Sequence, residues 1–152
     1  MVGYDDAASP SLSTVLHTTD SGATWAAQTT TLSAELLGVS FPSLTHGWTV
    51  GLRGGGSSSI YATTDGGVSW NVQTPPAGTA FRDVAFASET VGWAVGDGGI
   101  IINTIDGGSR WQVQEASGLS WNSIWAMDES VAWTVGAYGV ILKTLDGGDN
   151  WR

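Results

Sequence analysis

Residues 92–111 are the most informative segment of the sequence and read Gly-Trp-Ala-Val-Gly-Asp-Gly-Gly-Ile-Ile-Ile-Asn-Thr-Ile-Asp-Gly-Gly-Ser-Arg-Trp. Two short apolar runs, 92–96 and 100–104, are separated by a glycine-rich break, which predicts two antiparallel β-strands. The stretch closes with the frame Thr-x-Asp-x-Gly-x-x-Trp. We expect its aspartate to accept hydrogen bonds from backbone N–H groups and its glycine to take a positive φ. The frame therefore predicts a tight turn followed by a large aromatic side chain.

The same frame occurs four times, which identifies it as a structural repeat. Its copies begin at Thr18, Thr63, Thr104 and Thr144, and the closing tryptophans are 45, 41 and 40 residues apart. A second element of the type Gly-Trp-Ala-Val-Gly alternates with the frame. A period near 40 residues with short strands is typical of the four-stranded blades of a β-propeller. We interpret the repeated carboxylates and indoles as structural groups: Asp20, Trp25, Asp65, Trp70, Asp106, Trp111, Asp146 and Trp151.

One complete repeat predicts all four strands of a blade. Strand A is 81–86, strand B is 92–96, strand C is 100–104 and strand D is 110–114. The frame then forms the turn between strands C and D. On this reading the chain is one all-β domain, a partial propeller over residues 1–152, with about four blades of antiparallel sheet. The blades lie at 2–28, which lacks its first strand, and at 36–73, 81–114 and 121–152.

The frame resembles the Asp-box, or BNR repeat, of sialidases, sortilin-type receptors and several glycoside hydrolases. The longer pattern over residues 92–111 is most similar to the repeat of the photosystem II assembly and stability factor family. The resemblance spans nearly the whole chain and implies a β-propeller without a cofactor. It further implies a non-catalytic binding or scaffold protein that helps to assemble or stabilise a membrane protein complex. The expected partner is a protein of such a complex, and the expected location is extracytoplasmic.

Four blades are fewer than the propellers of these families contain, and three interpretations stay open. Two copies of the chain could close an eight-bladed ring, one copy could close a small ring alone, or the chain could be part of a longer propeller. The start in mid-blade and the end at Trp151-Arg152 favour the third interpretation. No signal peptide is visible at the first residues, which lack a basic segment before an apolar stretch.

Composition excludes several classes of function. The 152 residues carry a net charge of −9, with only five basic residues. Binding to nucleic acid or to anionic lipid needs a basic face, so neither is expected. No apolar run approaches the roughly 20 residues of a membrane span, which argues against membrane insertion. Cysteine is absent from the sequence, which excludes disulfides and cysteine-ligated zinc.

Loop lengths indicate where a partner would bind. From the strand-B tryptophan to the next box tryptophan the spacing is 22, 18 and 18 residues, so the loop between strands B and C holds most of the variation. Variable loops on a rigid scaffold are common binding sites. We therefore predict partner contacts from this loop and from the neighbouring start of strand A. The candidates are Arg53, Arg82, Asp83, Asp97, Trp121, Asn122 and Tyr138. A plainer interpretation is that Arg82 and Asp83 are solvated or paired with each other.

The alternative function is a part of an Asp-box glycoside hydrolase or sialidase. A sialidase of this kind needs three arginines around the substrate carboxylate, but Arg110 lies in a box and Arg152 is terminal, which leaves only Arg53 and Arg82. A glycosidase needs two facing carboxylates, and no motif supports Asp83 with Asp97. The two histidines are isolated, so we predict no catalytic residue and no metal ligand in this chain.

Overall fold

The computed structural model describes residues 2–4, 13–28, 32–53, 58–76, 80–116 and 118–152, and it confirms an all-β fold built from antiparallel sheets. The first sheet contains β1 (Val2–Tyr4), β2 (Ser13–His17) and β3 (Ala26–Gln28). The second contains β4 (Glu35–Ser40), β5 (Gly47–Leu52), β6 (Ser58–Thr63) and β7 (Asn71–Gln73). The third contains β8 (Phe81–Phe86), β9 (Gly92–Gly96), β10 (Ile100–Thr104) and β11 (Gln112–Ala116). The fourth contains β12 (Trp121–Ala126), β13 (Ala132–Gly136) and β14 (Ile141–Thr144). Each sheet pairs its strands in chain order.

The third sheet shows how well the strands follow the sequence pattern. Strands A, B and C of this sheet have the predicted bounds, whereas strand D begins at Gln112 rather than at Arg110. The reason is local, because the Arg110 N–H donates to Asp106 Oδ1 at 2.9 Å and so belongs to the turn. A short 3-10 turn at Asp97–Gly99 links strands B and C. Its counterpart in the fourth sheet is Ala137–Gly139.

The Asp-box is a hydrogen-bonded turn in which threonine has a larger part than the sequence predicts. In the second sheet the Thr63 hydroxyl donates to Asp65 Oδ1 at 2.7 Å and accepts from the Gly67 N–H at 2.9 Å. The Asp65 carboxylate also accepts from the N–H and the hydroxyl of Ser69, at 2.8 and 2.6 Å. The bonds of the threonine hydroxyl and the backbone bond to the aspartate recur in the other three boxes. Threonine is therefore a hydrogen-bonding centre of the turn together with aspartate.

The third and fourth boxes are also fastened to the preceding sheet by a glutamine that the sequence analysis did not single out. Gln73 of β7 accepts a hydrogen bond from Trp111 Nε1 at 3.1 Å and donates to the Gly107 carbonyl at 2.9 Å. Gln114 makes the same two bonds to Trp151 and Gly147, at 3.2 and 2.9 Å. These glutamines stand three residues after a box tryptophan, as does Gln28. The pattern Trp-x-x-Gln was the signal that could have revealed them.

The second glycine of the box is required by this contact as well as by its backbone. Gly108 has a φ of +86°, a conformation that favours glycine. A Cβ at this position would collide with the amide group of Gln73 from the preceding sheet. Gly148 stands in the same relation to Gln114. Consecutive sheets can therefore approach closely only where the box carries glycine.

The apolar core lies between consecutive sheets. Between the second and third sheets, the indole of Trp48 stacks on the ring of Phe86 at a centroid distance of 3.6 Å, and Trp111 and Val84 are buried with them. Between the third and fourth sheets, the buried cluster contains Trp93, Trp121 and Ile124. The box tryptophans differ in burial: Trp111 is buried, Trp70 and Trp151 are partly buried, and Trp25 is about half exposed. Indoles thus form a large part of the apolar packing between these sheets.

We predict that Trp111→Ala lowers the free energy of unfolding by about 3–5 kcal/mol, because it leaves a large cavity in the core. It also removes the indole donor to Gln73. Urea unfolding followed by circular dichroism measures the loss. Val113→Ala, on an exposed position of the same segment, is the control and should change little. A loss below about 1 kcal/mol for Trp111→Ala would contradict the packing role.

The box carboxylates predict an acid-dependent loss of stability. Hydrogen bonds, first that from the Ser69 hydroxyl, lower the pKa of Asp65 from 3.8 to about 2. The pKa of Asp20 and that of Asp146 are also lowered to about 2, chiefly by hydrogen bonds from the side chains of Thr24 and Asn150. A lowered pKa in the folded state means that the carboxylate stabilises the fold fully above about pH 4. This stabilisation is lost as the pH falls toward 2.

A carbon-detected NMR titration of the aspartate carboxyl groups checks this expectation. The midpoint of Asp65 should lie near 2, and Ser69→Ala should move it upward because the largest cause of the shift is removed. An Asp65 midpoint that stays the same in the Ser69→Ala variant would show that the hydroxyl does not hold the carboxylate in its charged form.

Candidate functional site

The two ends of the sheets differ in what they carry. The Asp-boxes connect strands C and D at one end, and the turns between strands B and C lie at the opposite end of strand C. We call the second the loop end. It carries five predicted contact residues, and they are Arg53, Arg82, Asp97, Asn122 and Tyr138. The long connections over 5–12 and 54–57, in which the sequence analysis placed much of the loop variation, lie outside the described residues.

Arg82 and Asp97 form an ion pair at the loop end of the third sheet. Arg82 follows Phe81, which pairs with Gly96 across the strands, so the register brings the two charged side chains together. Arg82 Nε donates to Asp97 Oδ1 at 2.6 Å, and both side chains are nearly half exposed. The pairing of Arg82 with Asp83, which the sequence left open, is not what the structure shows. An exposed ion pair of this kind contributes only about 0.2–1 kcal/mol, so its members can change partners easily.

Arg53 is oriented by a tyrosine that the sequence analysis did not single out. Its Nε donates to the Tyr61 hydroxyl at 3.1 Å, and its guanidinium carbon lies 5.7 Å from the centre of the tyrosine ring. The ring of Tyr61 is buried in β6, which limits the positions that the arginine can take. The side chain of Arg53 itself is exposed. The second sheet thus presents a cation whose position is constrained by the core.

Tyr138 combines an unfavourable backbone conformation with an exposed aromatic ring. Its φ is +60°, and 92% of its surface is accessible. The corresponding residue of the third sheet is Gly98, with a φ of +67°. A side chain in the left-handed region costs about 1–2 kcal/mol, and no burial of the ring offsets it here. Strain retained at an exposed position is typical of a functional residue.

Two predicted contact residues are used inside the molecule instead. Trp121 is fully buried between the third and fourth sheets, and its Nε1 donates to the Gly99 carbonyl at 3.0 Å. The Asp83 carboxylate accepts hydrogen bonds from the Ser123 hydroxyl at 2.6 Å and from the Ile124 N–H at 2.9 Å. It therefore links β8 to β12 of the next sheet. Burial removes the first residue from any partner surface, and these bonds occupy the second, so both are corrected to structural roles.

The described residues contain no group of three or more histidine, cysteine, aspartate or glutamate side chains that could hold a metal ion. The two carboxylates considered for glycoside hydrolysis do not face each other as a pair, because Asp83 bonds to Ser123 while Asp97 bonds to Arg82. Within the same residues, no helix has the length and hydropathy to cross a membrane.

Antiparallel sheets joined in series, each closed by an Asp-box, define the class of Asp-box β-propeller proteins. Within that class the family is clear from the sequence match. The profile of the family described as photosynthesis system II assembly factor YCF48 matches residues 68–152, and the chain belongs to this family. No curated protein sequence matches the chain.

Solved structures agree with this assignment. A structure of YCF48 bound to a D1 peptide is 31% identical over 78% of this chain and 40% of its own, with a TM-score of 0.70. YCF48 from Cyanidioschyzon merolae is 27% identical over 77% of this chain and 36% of its own, with a TM-score of 0.64. The GH74 enzyme of Niastella koreensis is 12% identical, covers 77% of this chain and 22% of its own, and has a TM-score of 0.60, which shows the fold alone. The chain spans about two fifths of the length of the YCF48 structures.

We predict that Tyr138→Gly raises the free energy of unfolding by about 0.5–1 kcal/mol, because glycine adopts a positive φ without strain. Part of this gain is offset because glycine also increases the entropy of the unfolded chain. Tyr138→Ala is the control, since it removes the ring but keeps a Cβ in the same conformation. Urea unfolding of both variants makes the comparison. Equal stabilities of the two variants would show that Tyr138 is not strained.

Proposed function

We propose that this chain is a non-catalytic binding element that holds a segment of a membrane protein during assembly of a photosystem-type complex. Membership of the YCF48 family carries the proposal, and the structure of a relative bound to a D1 peptide supports it. The chain spans less than half of that relative, so the activity of the whole protein enters as part of the proposal. The four sheets would be consecutive blades of one propeller that presents its loop end to the partner.

The contact chemistry we propose is an arginine grip on an acidic or carbonyl-rich peptide. Arg82 can exchange Asp97 for a carboxylate of the partner, because the exposed ion pair is weak. Arg53 is held in place by Tyr61 and can donate its remaining N–H groups outward. With a net charge of −9, the chain offers few cations, so these two would carry most of the attraction to an anionic group.

Tyr138 and Asn122 complete the proposed surface. Tyr138 offers an exposed aromatic ring of the kind that is enriched at protein interfaces. Asn122 lies exposed on β12, where the preceding sheet has Arg82. A partner peptide that crosses the third and fourth sheets would meet the cation first and the ring afterwards.

The glycoside hydrolase alternative has weaker support. Its structural neighbour is 12% identical, a level that carries the fold and no activity. The family itself is described as an assembly factor, which favours a role without catalysis. An extracytoplasmic location is also part of our proposal; it rests on the resemblance of the repeats, and fractionation of source cells tests it.

The test of the proposed function is binding of a fluorescently labelled D1 peptide, measured by anisotropy. We predict that Arg82→Ala weakens binding about 3- to 30-fold, as expected for loss of one charge-assisted contact. Arg110→Ala is the matched control, because it removes the same charge from an exposed box residue at the opposite end. Equal weakening by both variants would show that only the net charge of the chain matters for binding. Unchanged binding by Arg82→Ala would exclude the loop end of the third sheet as the contact surface.

A further inference from the structure

Strand A has a β-bulge at the same place in three consecutive sheets. The pairing of β8 with β9 passes over Arg82, which leaves one extra residue on strand A. The pairings of β4 with β5 and of β12 with β13 pass over Leu37 and Asn122 in the same way. A bulge bends its strand and redirects a side chain, and bulges are common beside functional sites. The three bulged residues are therefore candidates for contact with a partner.

Side-chain hydrogen bonds hold the backbone beside each bulge. The Thr49 hydroxyl donates to the Gly38 carbonyl at 2.8 Å, and the Thr134 hydroxyl donates to the Ser123 carbonyl at 2.9 Å. Both threonines are fully buried on strand B. The third sheet has alanine at this position, and there the Asp83 carboxylate accepts from the N–H of the next residue at 2.9 Å. The bulged residues thus have fixed positions on the scaffold.

The three bulges lie side by side because the inner strands pack closely. A Cβ on Gly38 of β4 would lie only 2.9 Å from Asp83 Cα of β8. The Asp83 carboxylate also accepts from the Ser123 hydroxyl of β12. These residues follow the bulges directly, so the bulged residues form a row across three sheets. We call this set the bulge row: Leu37, Arg82 and Asn122.

Exposure of the bulge row is a property of the bulge itself. The side chain of Arg82 is 46% exposed although β4 and β12 both contact its strand. Val84, two residues further along the same strand, is only 3% exposed. Leu37 is 42% exposed, and Asn122 is exposed as well. A bulged side chain therefore stays accessible even where a neighbouring sheet lies on each side.

The chemistry of the bulge row changes from sheet to sheet, whereas its surroundings do not. The row consists of an apolar side chain, a cation and an amide. The residue before each bulge is apolar and buried in all three sheets, and these residues are Leu36, Phe81 and Trp121. One variable, exposed side chain per repeat on a constant scaffold suits the recognition of successive residues of an extended ligand.

We propose that the bulge row contacts every second residue of an extended peptide segment. The segment has an acidic residue at its centre, an apolar residue on one side and an amide or hydroxyl residue on the other. Residues two apart in an extended segment share one face and lie about 6.6–6.8 Å from each other. The central carboxylate would replace Asp97 on Arg82. The apolar side chain would cover Leu37, and the polar one would bond to Asn122.

This inference rests on the proposed binding function and adds to it a residue that selects the partner. Leu37 has no charge and no hydrogen-bonding group in its side chain, so it favours an apolar side chain on the peptide. Covering its exposed surface removes apolar area from water. The position of the apolar residue relative to the acidic one then distinguishes one acidic segment from another.

The probes are two fluorescently labelled heptapeptides with capped ends, measured by anisotropy. One reads Ser-Leu-Ser-Asp-Ser-Asn-Ser, and the other has aspartate in place of leucine. We expect the native chain to bind the leucine peptide about 3- to 10-fold more tightly, the gain expected for covering part of one leucine side chain. Absence of binding of both peptides to the native chain would overturn the proposal.

Two protein variants locate the selecting residue. Leu37→Arg should reverse the preference, because the new cation attracts the added carboxylate and the apolar contact is lost. Val72→Arg is the matched control, since it adds the same charge at an exposed position on the outer strand of the same sheet. It should leave the native preference unchanged. Circular dichroism verifies that both variants remain folded, and an equal change of preference in both would overturn the proposal.

The labelled D1 peptide, measured in parallel, separates this inference from the proposed function. Binding of D1 peptide that depends on Arg82, together with equal binding of the two heptapeptides, would reject the bulge row and leave the proposed function in place. Selective binding of the leucine heptapeptide without binding of D1 peptide would support the bulge row and reject the photosystem-type partner.

Discussion

The contact of the third and fourth Asp-boxes with a glutamine of the preceding sheet is the interaction that best explains how consecutive sheets are held together. An indole N–H and a glycine carbonyl meet at the partly buried seam between two sheets. The side-chain amide of Gln73 or Gln114 satisfies both groups at once. A buried polar group without a partner would cost about 1–3 kcal/mol. One side chain therefore allows the large apolar surface of the tryptophan to be buried without that penalty.

The box end and the loop end differ in how strictly their residues are constrained. At the box end, a network of short hydrogen bonds leaves little freedom for substitution. At the loop end, the turns of Asp97–Gly99 and Ala137–Gly139 share one backbone path, but glycine at the centre of the first is tyrosine in the second. The packing between the sheets does not involve Tyr138, so the strained backbone at this residue leaves that packing unaffected. Exposed charged and aromatic residues can thus change from blade to blade while the sheets stay in register.

The seams are not identical, and their differences show how each is stabilised. In the seam between the third and fourth sheets, Ala126 stands where Phe86 stacks on Trp48, and Trp93 Nε1 has no hydrogen-bond partner in the described part of the chain. Asp83 adds bonds to Ser123 and Ile124 across the same seam. In this seam, which lacks the aromatic stacking, polar contacts therefore join strands β8 and β12. Between the first and second sheets, the rings of Phe41 and Trp70 meet edge to face at 6.0 Å.

The all-β fold, strands A to C of the complete repeat and the hydrogen-bonded box could be predicted from the sequence, because they depend on contacts within about four residues and on a repeated period. The pairing of Gln73 with Trp111, 38 residues apart, depends instead on how the sheets pack. The same is true of the burial of Trp121 and the use of Asp83 between sheets. Each depends on how one sheet lies against the next. Local periodicity does not show which side chains of an inner strand face solvent and which are covered by the neighbouring sheet.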